Sequence, residues 1–304
     1  SAGSIGAVDE LEIQARMAGR TRRVRVEKKE GRPMVESLST VKLIASDMDG
    51  TLLDGASRVP EETFDLIREL NRVGVRFAVA SGRRFDTLWD YFEPVAGMVD
   101  FVASNGAQVV VDGQLIDREV YSYASLQRLF EVVQMFDSLH LAVFDRTSSY
   151  LLDGPDCFQS EFDKDLPNPV RVRELPPAST SIIKASVFCD DSVMDMAYAL
   201  GRELSEDFVF APSGSRWIDA MQRGVNKATG IRQVMRMRGV EPQEVMAFGD
   251  AMNDYEILRM VGQSCAMGNA RSAIKQIAGR TIGTNEEHAV QAQMRAVLES
   301  LTRR

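Results

Sequence analysis

The chain has 304 residues, 44% of them hydrophobic and 26% charged, with a formal net charge of -8 and a sequence pI of about 5.1. That length predicts one large or two smaller domains, able to bury about three quarters of the unfolded surface without a disulfide or structural metal. The acidic balance argues against nucleic acid or an anionic membrane as partner, and no apolar run reaches the ~20 residues of a membrane span.

Residues 1–40 read as an extension. Arg20, Arg22, Arg23, Arg25, Lys28 and Lys29 form a basic cluster with few large apolar neighbours. The reading is open between a mobile tail, a leader upstream of a start at Met17 or Met34, and a nucleic-acid- or partner-binding arm; residues 10–17 could form a short helix. No charged-then-apolar signal pattern is visible, and Cys157, Cys189 and Cys265 are scattered, so a reducing cytoplasm is the expected setting.

From Val41 the pattern changes. Val41 to Asp47 is a short apolar run ending in an acid, the mark of a buried parallel strand. Pro60 then opens a helix with Phe64, Ile67, Leu70 and Val73 at helical spacing, stopped by Gly74. A second strand is expected from Val75 to Ala80, a helix from about Phe85 to Phe92, and a third strand from Val99 to Ala103 ending in Ser104-Asn105-Gly106. This β-α-β-α-β succession predicts an α/β fold with a doubly wound parallel sheet, whose ligand crevice lies outside the carboxyl ends of the strands.

The stretch 122–214 has another rhythm. A helix is expected at about Leu126–Phe136, strands at His140–Phe144 and Ile182–Phe188, a helix at Val193–Leu204 and a strand at Phe208–Ala211. It reads as a small α/β domain inserted into a core made of residues 41–121 and 215–304. After Asn226 the first rhythm resumes, with helices to Met237, at Tyr255–Val261, at Ala270–Ala278 and from about Glu287, and strands at Val245–Phe248, Ser264–Met267 and Arg280–Gly283.

Four strand ends carry candidate chemistry. The first holds Asp47 and Asp49 around Met48, then Gly50, which permits a tight departure from the strand. A carboxylate there must be solvated, paired or metal-bound; the plain alternative is an exposed Asp-Gly turn. The second holds Ser81 and Gly82, where the serine hydroxyl can donate to an oxyanion or simply cap the next helix. The third holds Lys227, at a helix start where the macrodipole favours acids. An anionic neighbour would explain it, and an ordinary exposed lysine is the alternative. The fourth holds Asp250, Asn253 and Asp254; Asp250 and Asp254 are one helical turn apart and could face the crevice together, or Asp250 or Asn253 could cap a helix.

Taken together, Asp47, Asp49, Asp250 and Asp254 are expected to cluster at one sheet edge. At an effective dielectric of ~20, each like-charge pair at about 4 Å costs ~4 kcal/mol, so the cluster calls for a cation. With only His140 and His288 as histidines and no close cysteines, the ligands are oxygens; they select a hard ion, and magnesium suits a site shared with phosphate. Such an ion would admit an anionic substrate despite the net charge.

This ordered set resembles the haloacid dehalogenase superfamily of phosphotransferases. The long insert, the Ser104–Ala107 turn and the Gly249–Asp254 motif are similar to the Cof-type sugar-phosphatase branch. The resemblance covers the chain from about Val41 onward. It implies a magnesium-dependent phosphatase for small phosphorylated metabolites. Asp47 would be the nucleophile that forms an aspartyl-phosphate, and Asp49 the general acid and base. Ser81 and Lys227 would hold the phosphoryl oxygens. Asp47, Asp250 and the backbone carbonyl of Asp49 would bind the metal, supported by Asn253 and Asp254. Gly82 and Asn105 would lie near the substrate, and the insert 122–214 would be a cap that selects the leaving group.

One departure stands out. Where the family shows Asn-x-Glu-Asp-Gly-Val, this chain has His288 and Ala289 in the Asp and Gly places, after Asn285 and Glu287. His288 either reaches the crevice or is an exposed loop residue. Two other functions fit the same fold: a phosphosugar mutase, which returns the phosphoryl group to a sugar, and a non-catalytic phosphosugar-binding protein. The second has no need of the Asp47 and Asp49 pair.

Overall fold

A computed structural model describes residues 38–118, 120–152, 169–213 and 215–302. The expected N-terminal extension lies outside them except for a single turn at Leu38–Thr40. The described residues divide into two compact units, one of residues 38–118 and 225–302 and one of 120–224. No helix among them is long and apolar enough to cross a membrane.

The first unit holds strands β1 (Leu43–Ser46), β2 (Arg76–Ala80), β3 (Val99–Ala103), β4 (Gln108–Val111) and β5 (Gln114–Arg118), then, after the insertion, β12 (Val245–Gly249), β13 (Gln263–Ala266) and β14 (Arg280–Thr281). They form one sheet in the order β14-β13-β12-β1-β2-β3-β4-β5. Pairing is parallel from β14 through to β3. The apolar strands are buried along their length because helices cover both faces of such a sheet. These helices are α1 (Glu61–Arg72), α2 (Phe85–Tyr91), and four later ones, α5 (Lys227–Arg238), α6 (Tyr255–Met260), α7 (Ser272–Ile277) and α8 (Ala289–Thr302). In α1 the buried residues are Thr63, Leu66, Ile67 and Leu70, the i, i+3, i+4, i+7 positions of one helix face. Pro60 caps its start, and the chain leaves through Gly74 at φ 84°.

Beyond the parallel strands, β3, β4 and β5 pair antiparallel. This hairpin is an addition to the expected elements. Its bend is Asp112-Gly113, both at positive φ (50° and 73°), the two-residue turn whose twist suits a hairpin.

The second unit contains α3 (Tyr123–Val133), β6 (Leu139–Phe144), β7 (Ser149–Leu152), β8 (Pro169–Val172), β9 (Lys184–Cys189), α4 (Val193–Leu204), β10 (Phe208–Pro212) and β11 (Trp217–Gln222). Its sheet runs β10-β11-β9-β6-β7-β8. Leu126, Leu129 and Val133 of α3 and Ala197, Leu200 and Leu204 of α4 share one core with Leu141, Val143, Val187, Phe208 and Ile218 of the sheet. The expected return to the first unit at residue 215 falls inside a hairpin. Ser213 N donates to Trp217 O at 2.8 Å, and β11 pairs with both β10 and β9. The alternation Trp217, Asp219, Met221 against Ile218, Ala220 makes those residues a strand of the insert's sheet.

At the amino-terminal edge of the first sheet, an ion-pair network braces the framework. Asp100 in β3 is fully buried. It accepts from Arg238 Nη2 at 2.6 Å and Nε at 2.9 Å, and Arg76 Nη2 lies 3.5 Å away. Asp112 of the hairpin bend accepts from both arginines. The hydrogen bonds it donates to these carboxylates, Asp100 first, hold the Arg238 guanidinium above its ordinary range. Arg238 ends α5, so the network fixes the far end of the helix that starts at Lys227. Removing one partner strands the others' charges in a partly buried place. Asp100→Ala is therefore expected to cost about 3 kcal/mol of stability, measured by urea unfolding. A loss under about 1 kcal/mol would show that the network is neutral to the fold.

Candidate active site

Register brings the strand ends level. Ser46 pairs with Val79 of β2 and Phe248 of β12, and Asp47 N extends the ladder to Phe248 O at 3.2 Å. Asp47 therefore leaves β1 where Asp250 leaves β12, with Ser81 one residue beyond the end of β2.

Asp47, Asp250 and Asp254 meet there, each offering a carboxylate oxygen within 4.8 Å of the others. The Lys227 ammonium reaches Asp47 Oδ1 at 2.5 Å and Asp254 Oδ1 at 2.6 Å. Lys227 is only 1% exposed and Asp47 7%, so charge is compensated by contact and not by water. Lys227 is the first residue of α5, behind an Asn226 cap: Thr229 N donates to Asn226 Oδ1 and Asn226 N to Thr229 Oγ1, both at 3.0 Å. The anionic neighbours that such a position requires are Asp47 and Asp254.

The donor set suits a hard cation. Asp254 is committed elsewhere, since its Oδ1 takes Lys227 and its Oδ2 accepts from Asp250 N at 3.0 Å and Ala251 N at 3.1 Å. Asp47 and Asp250 are then the pair to hold an ion, with all-oxygen chemistry. Gly50, at φ 73°, is required here: a Cβ would stand 2.6 Å from Asp250 Oδ2. Thr51 Oγ1 donates to Asp250 Oδ1 at 3.2 Å.

The electrostatics record a shortage of positive charge beside the burial. Burial raises Asp47 well above the ordinary aspartate value; Lys227 opposes this, while Asp254 and Asp250 add to it. Burial, with Asp254 beside it, pushes Asp250 up from 3.8 to about 6. Burial alone would lower Lys227, but Asp254 and Asp47 outweigh it and hold the ammonium above the usual lysine range.

Asp49 does not join the carboxylate cluster. Its side chain is 56% exposed and takes a bidentate pair from Arg83, Nε to Oδ2 at 2.9 Å and Nη2 to Oδ1 at 2.7 Å. The reason is local. Asp49 is extended (ψ 124°) within the turn at Met48–Leu52, and Gly50 reverses the chain after it. The four-carboxylate cluster expected from spacing is thus three carboxylates plus an outlying Arg83–Asp49 pair. Arg83 directly follows Ser81 and Gly82, so the signal was adjacent to the motif. The guanidinium also lies 5.2 Å from the Tyr91 ring centroid.

Ser81 is buried, and its Oγ accepts from Arg83 N at 3.2 Å. Asn105 sits at φ 54° and its Oδ1 accepts from Asn253 Nδ2 at 3.1 Å. Two further asparagines hold the loop after Asp47: Asn269 Nδ2 donates to Gly50 O at 2.7 Å and Asn285 Nδ2 to Leu53 O at 2.9 Å. Neither Asn269 nor Thr51 was marked by the strand-end pattern, because each acts through side-chain bonds to distant segments. His288, at φ 52°, pairs with Glu62 Oε1 at 3.0 Å. Arg295 also binds Glu62, so the substituted position is tied to the first turn of α1.

Comparisons with known proteins place the chain among its relatives. The model of the haloacid dehalogenase-like hydrolases matches residues 44–294. The Escherichia coli (strain K12) 5-amino-6-(5-phospho-D-ribitylamino)uracil phosphatase YbjI is 30% identical over 254 residues, covering 83% of this chain and 94% of that protein. The Bacillus subtilis (strain 168) phosphatase YitU, named for the same substrate, is 29% identical over 272 residues, covering 82% and 94%. Among solved structures, a Streptococcus mutans UA159 protein superposes with a TM-score of 0.79 at 24% identity, over 85% of this chain and 99% of that one, and bears on the fold.

A pH dependence follows from Asp250. An acid whose value is higher in the folded than in the unfolded state stabilises the fold while protonated, below about pH 4, and that stability is lost as pH rises through about 6. Without a divalent cation, Asp250→Asn is expected to flatten this fall and raise stability at pH 7 by about 1–2 kcal/mol in urea unfolding. It should also remove the stabilisation that a divalent cation gives the unaltered chain. Destabilisation by Asp250→Asn in the absence of cation would contradict the repulsion described here.

Proposed function

The chain belongs to the haloacid dehalogenase-like hydrolases, and from that membership we propose that it is a magnesium-dependent phosphatase that releases phosphate from small organic phosphomonoesters through Asp47. The observation that carries this reading is the buried Lys227 ammonium bridging Asp47 and Asp254 beside Asp250. Three carboxylates and one ammonium are short of two positive charges. A divalent ion supplies both, and oxygen-only ligands favour magnesium where phosphate binds.

Magnesium, held by Asp47, Asp250 and the Asp49 carbonyl, would neutralise charge on the phosphoryl oxygens. The remaining chemistry belongs to the chain. Asp47 attacks phosphorus and the ester oxygen departs with its bonding pair, taking a proton from Asp49. Asp49, now a carboxylate, removes a proton from water as that water attacks the phosphorus, and the phosphate leaves Asp47 free again. Lys227 and Ser81 donate to the phosphoryl oxygens, and charge in transit is stabilised where water is scarce. Asp254 orients Lys227, Asn253 supports the metal loop, and Gly82 and Asn105 lie beside the substrate.

The bidentate Arg83 pair has a consequence for Asp49. Arg83 occupies both of its oxygens, whereas the first step needs one of them turned to the leaving oxygen. Substrate binding therefore has to loosen the Arg83–Asp49 pair before the leaving oxygen can be protonated.

The inserted unit is proposed to select the leaving group, because the phosphate-handling residues lie outside it. The named substrate of YbjI and YitU, a phosphorylated ribitylamino-pyrimidine, makes sugar-like and polyol phosphates of metabolic cofactors the first class to test.

The test is a panel of phosphomonoesters with chelated and magnesium-restored protein. Phosphate release should disappear with chelator and return with magnesium. Asp49→Asn should slow turnover by ~10²–10⁴, and less for nitrophenyl phosphate, whose leaving group needs no proton. Full activity after exhaustive metal removal would overturn the magnesium reading, and equal loss across leaving groups would remove Asp49 as the acid.

A further inference from the structure

Ser104, Asn105 and Gly106 adopt φ values of 49°, 54° and 101° in succession. Consecutive left-handed residues that include a serine are rare and unfavourable, and persist only where surroundings over-determine them. Here the surroundings do. Ser104 N donates to Arg83 O and Asn105 N to Ser81 O, both at 2.8 Å. Gly106 lies so close to the next motif that a Cβ would come within 2.1 Å of Asn226 O. The turn is buried, and the Ser104 hydroxyl has no hydrogen-bond partner among the described residues. Nothing in β3 or β4 requires so strained a link, since a relaxed turn would join two antiparallel strands.

What the strain delivers is the Asn105 side chain. Its Oδ1 accepts from Asn253 Nδ2 at 3.1 Å. A primary amide has a donor end and an acceptor end, and committing one fixes the other. With its nitrogen held by Asn105, Asn253 keeps its Oδ1 buried and without a hydrogen-bond partner among the described residues. A buried acceptor left so is costly unless a ligand satisfies it. Asn253 stands between Asp250, offered to the cation, and Asp254, which grips Lys227.

We infer that Asn105 is a positioning residue: it locks the amide of Asn253 so that its oxygen serves as an acceptor for the coordination shell of the bound cation. This rests on the magnesium-phosphatase reading and adds a role that acts through another side chain. The strained turn is then the strut that carries the third strand's end to the fourth motif.

The test uses the full chain with Asn105→Gly, Asn253→Ala and the double variant. Glycine accepts the left-handed conformation freely, so Asn105→Gly removes the amide while sparing the turn. Magnesium affinity by titration calorimetry should fall by ~10-fold or more in either single variant, the usual worth of an outer-shell partner. The kcat for a phosphomonoester should fall by ~10–100-fold with KM within about threefold. The double variant should be no worse than the more affected single, because the two act as one unit. An Asn105→Gly protein that binds magnesium and turns over like the unaltered chain would show that Asn105 serves only the backbone, and overturn the inference. Additive losses in the double variant would overturn it as well. Failure of the underlying reading is separate, since it would appear as an unaltered chain that neither binds magnesium nor releases phosphate.

Discussion

Everything at the strand ends depends on one buried ammonium. Lys227 contacts Asp47 and Asp254 at hydrogen-bond distance with almost no water around it. At an effective dielectric of ~20, a pair of unit charges about 4 Å apart interacts by ~4 kcal/mol. One lysine can therefore hold two carboxylates together, but not three. Burial raises both Asp47 and Asp250, and the carboxylates beside them raise them further. On the proposed reading the missing charge is the cation's, which would let an acidic chain receive a phosphate ester.

Keeping Lys227 in place is the work of the surrounding framework. Its helix is capped by Asn226 and Thr229 at the start and clamped by the Arg238–Asp100 pair at the end. Gly106 lets the β3 turn press against Asn226, and Gly230 lets the helix lie on Val102, where a Cβ would come within 2.3 Å of Val102 Cγ1. Asp254 meanwhile ties the ammonium to the backbone of the fourth motif through Asp250 N and Ala251 N. Small residues are needed at these contacts because catalytic geometry tolerates only fractions of an ångström of error.

Much of this was legible in the sequence, for physical reasons. Apolar runs ending in Asp47, Ser81 and Asp250 mark buried parallel strands, and a parallel sheet brings such ends to one edge. Lys227 at a helix start was less readable: the dipole calls for an anion nearby, but an ordinary exposed lysine fitted the pattern too. What pattern could not reveal was pairing across long separations. Asn269 and Asn285 hold the loop after Asp47 by single side-chain bonds, and asparagine in a turn has many commoner uses. The outward placement of Asp49 depends on one backbone reversal at Gly50 and on Arg83. The Gln108–Arg118 hairpin and the Trp217–Gln222 strand did carry signals, an Asp-Gly bend and an alternating run. They stood at the margins of stronger patterns, where a short strand is hard to tell from a connection.

The proposed reaction stands or falls on Asp47 itself taking the phosphoryl group. Turnover quenched in acid, treated with borohydride and mapped by mass spectrometry reads this directly, because an acyl phosphate is reduced to an alcohol and a free carboxylate is not. The account predicts reduction of residue 47 to homoserine, dependent on substrate and magnesium, at a level set by the balance of formation and hydrolysis. Reduction at another carboxylate during rapid turnover, with Asp47 left intact, would contradict it.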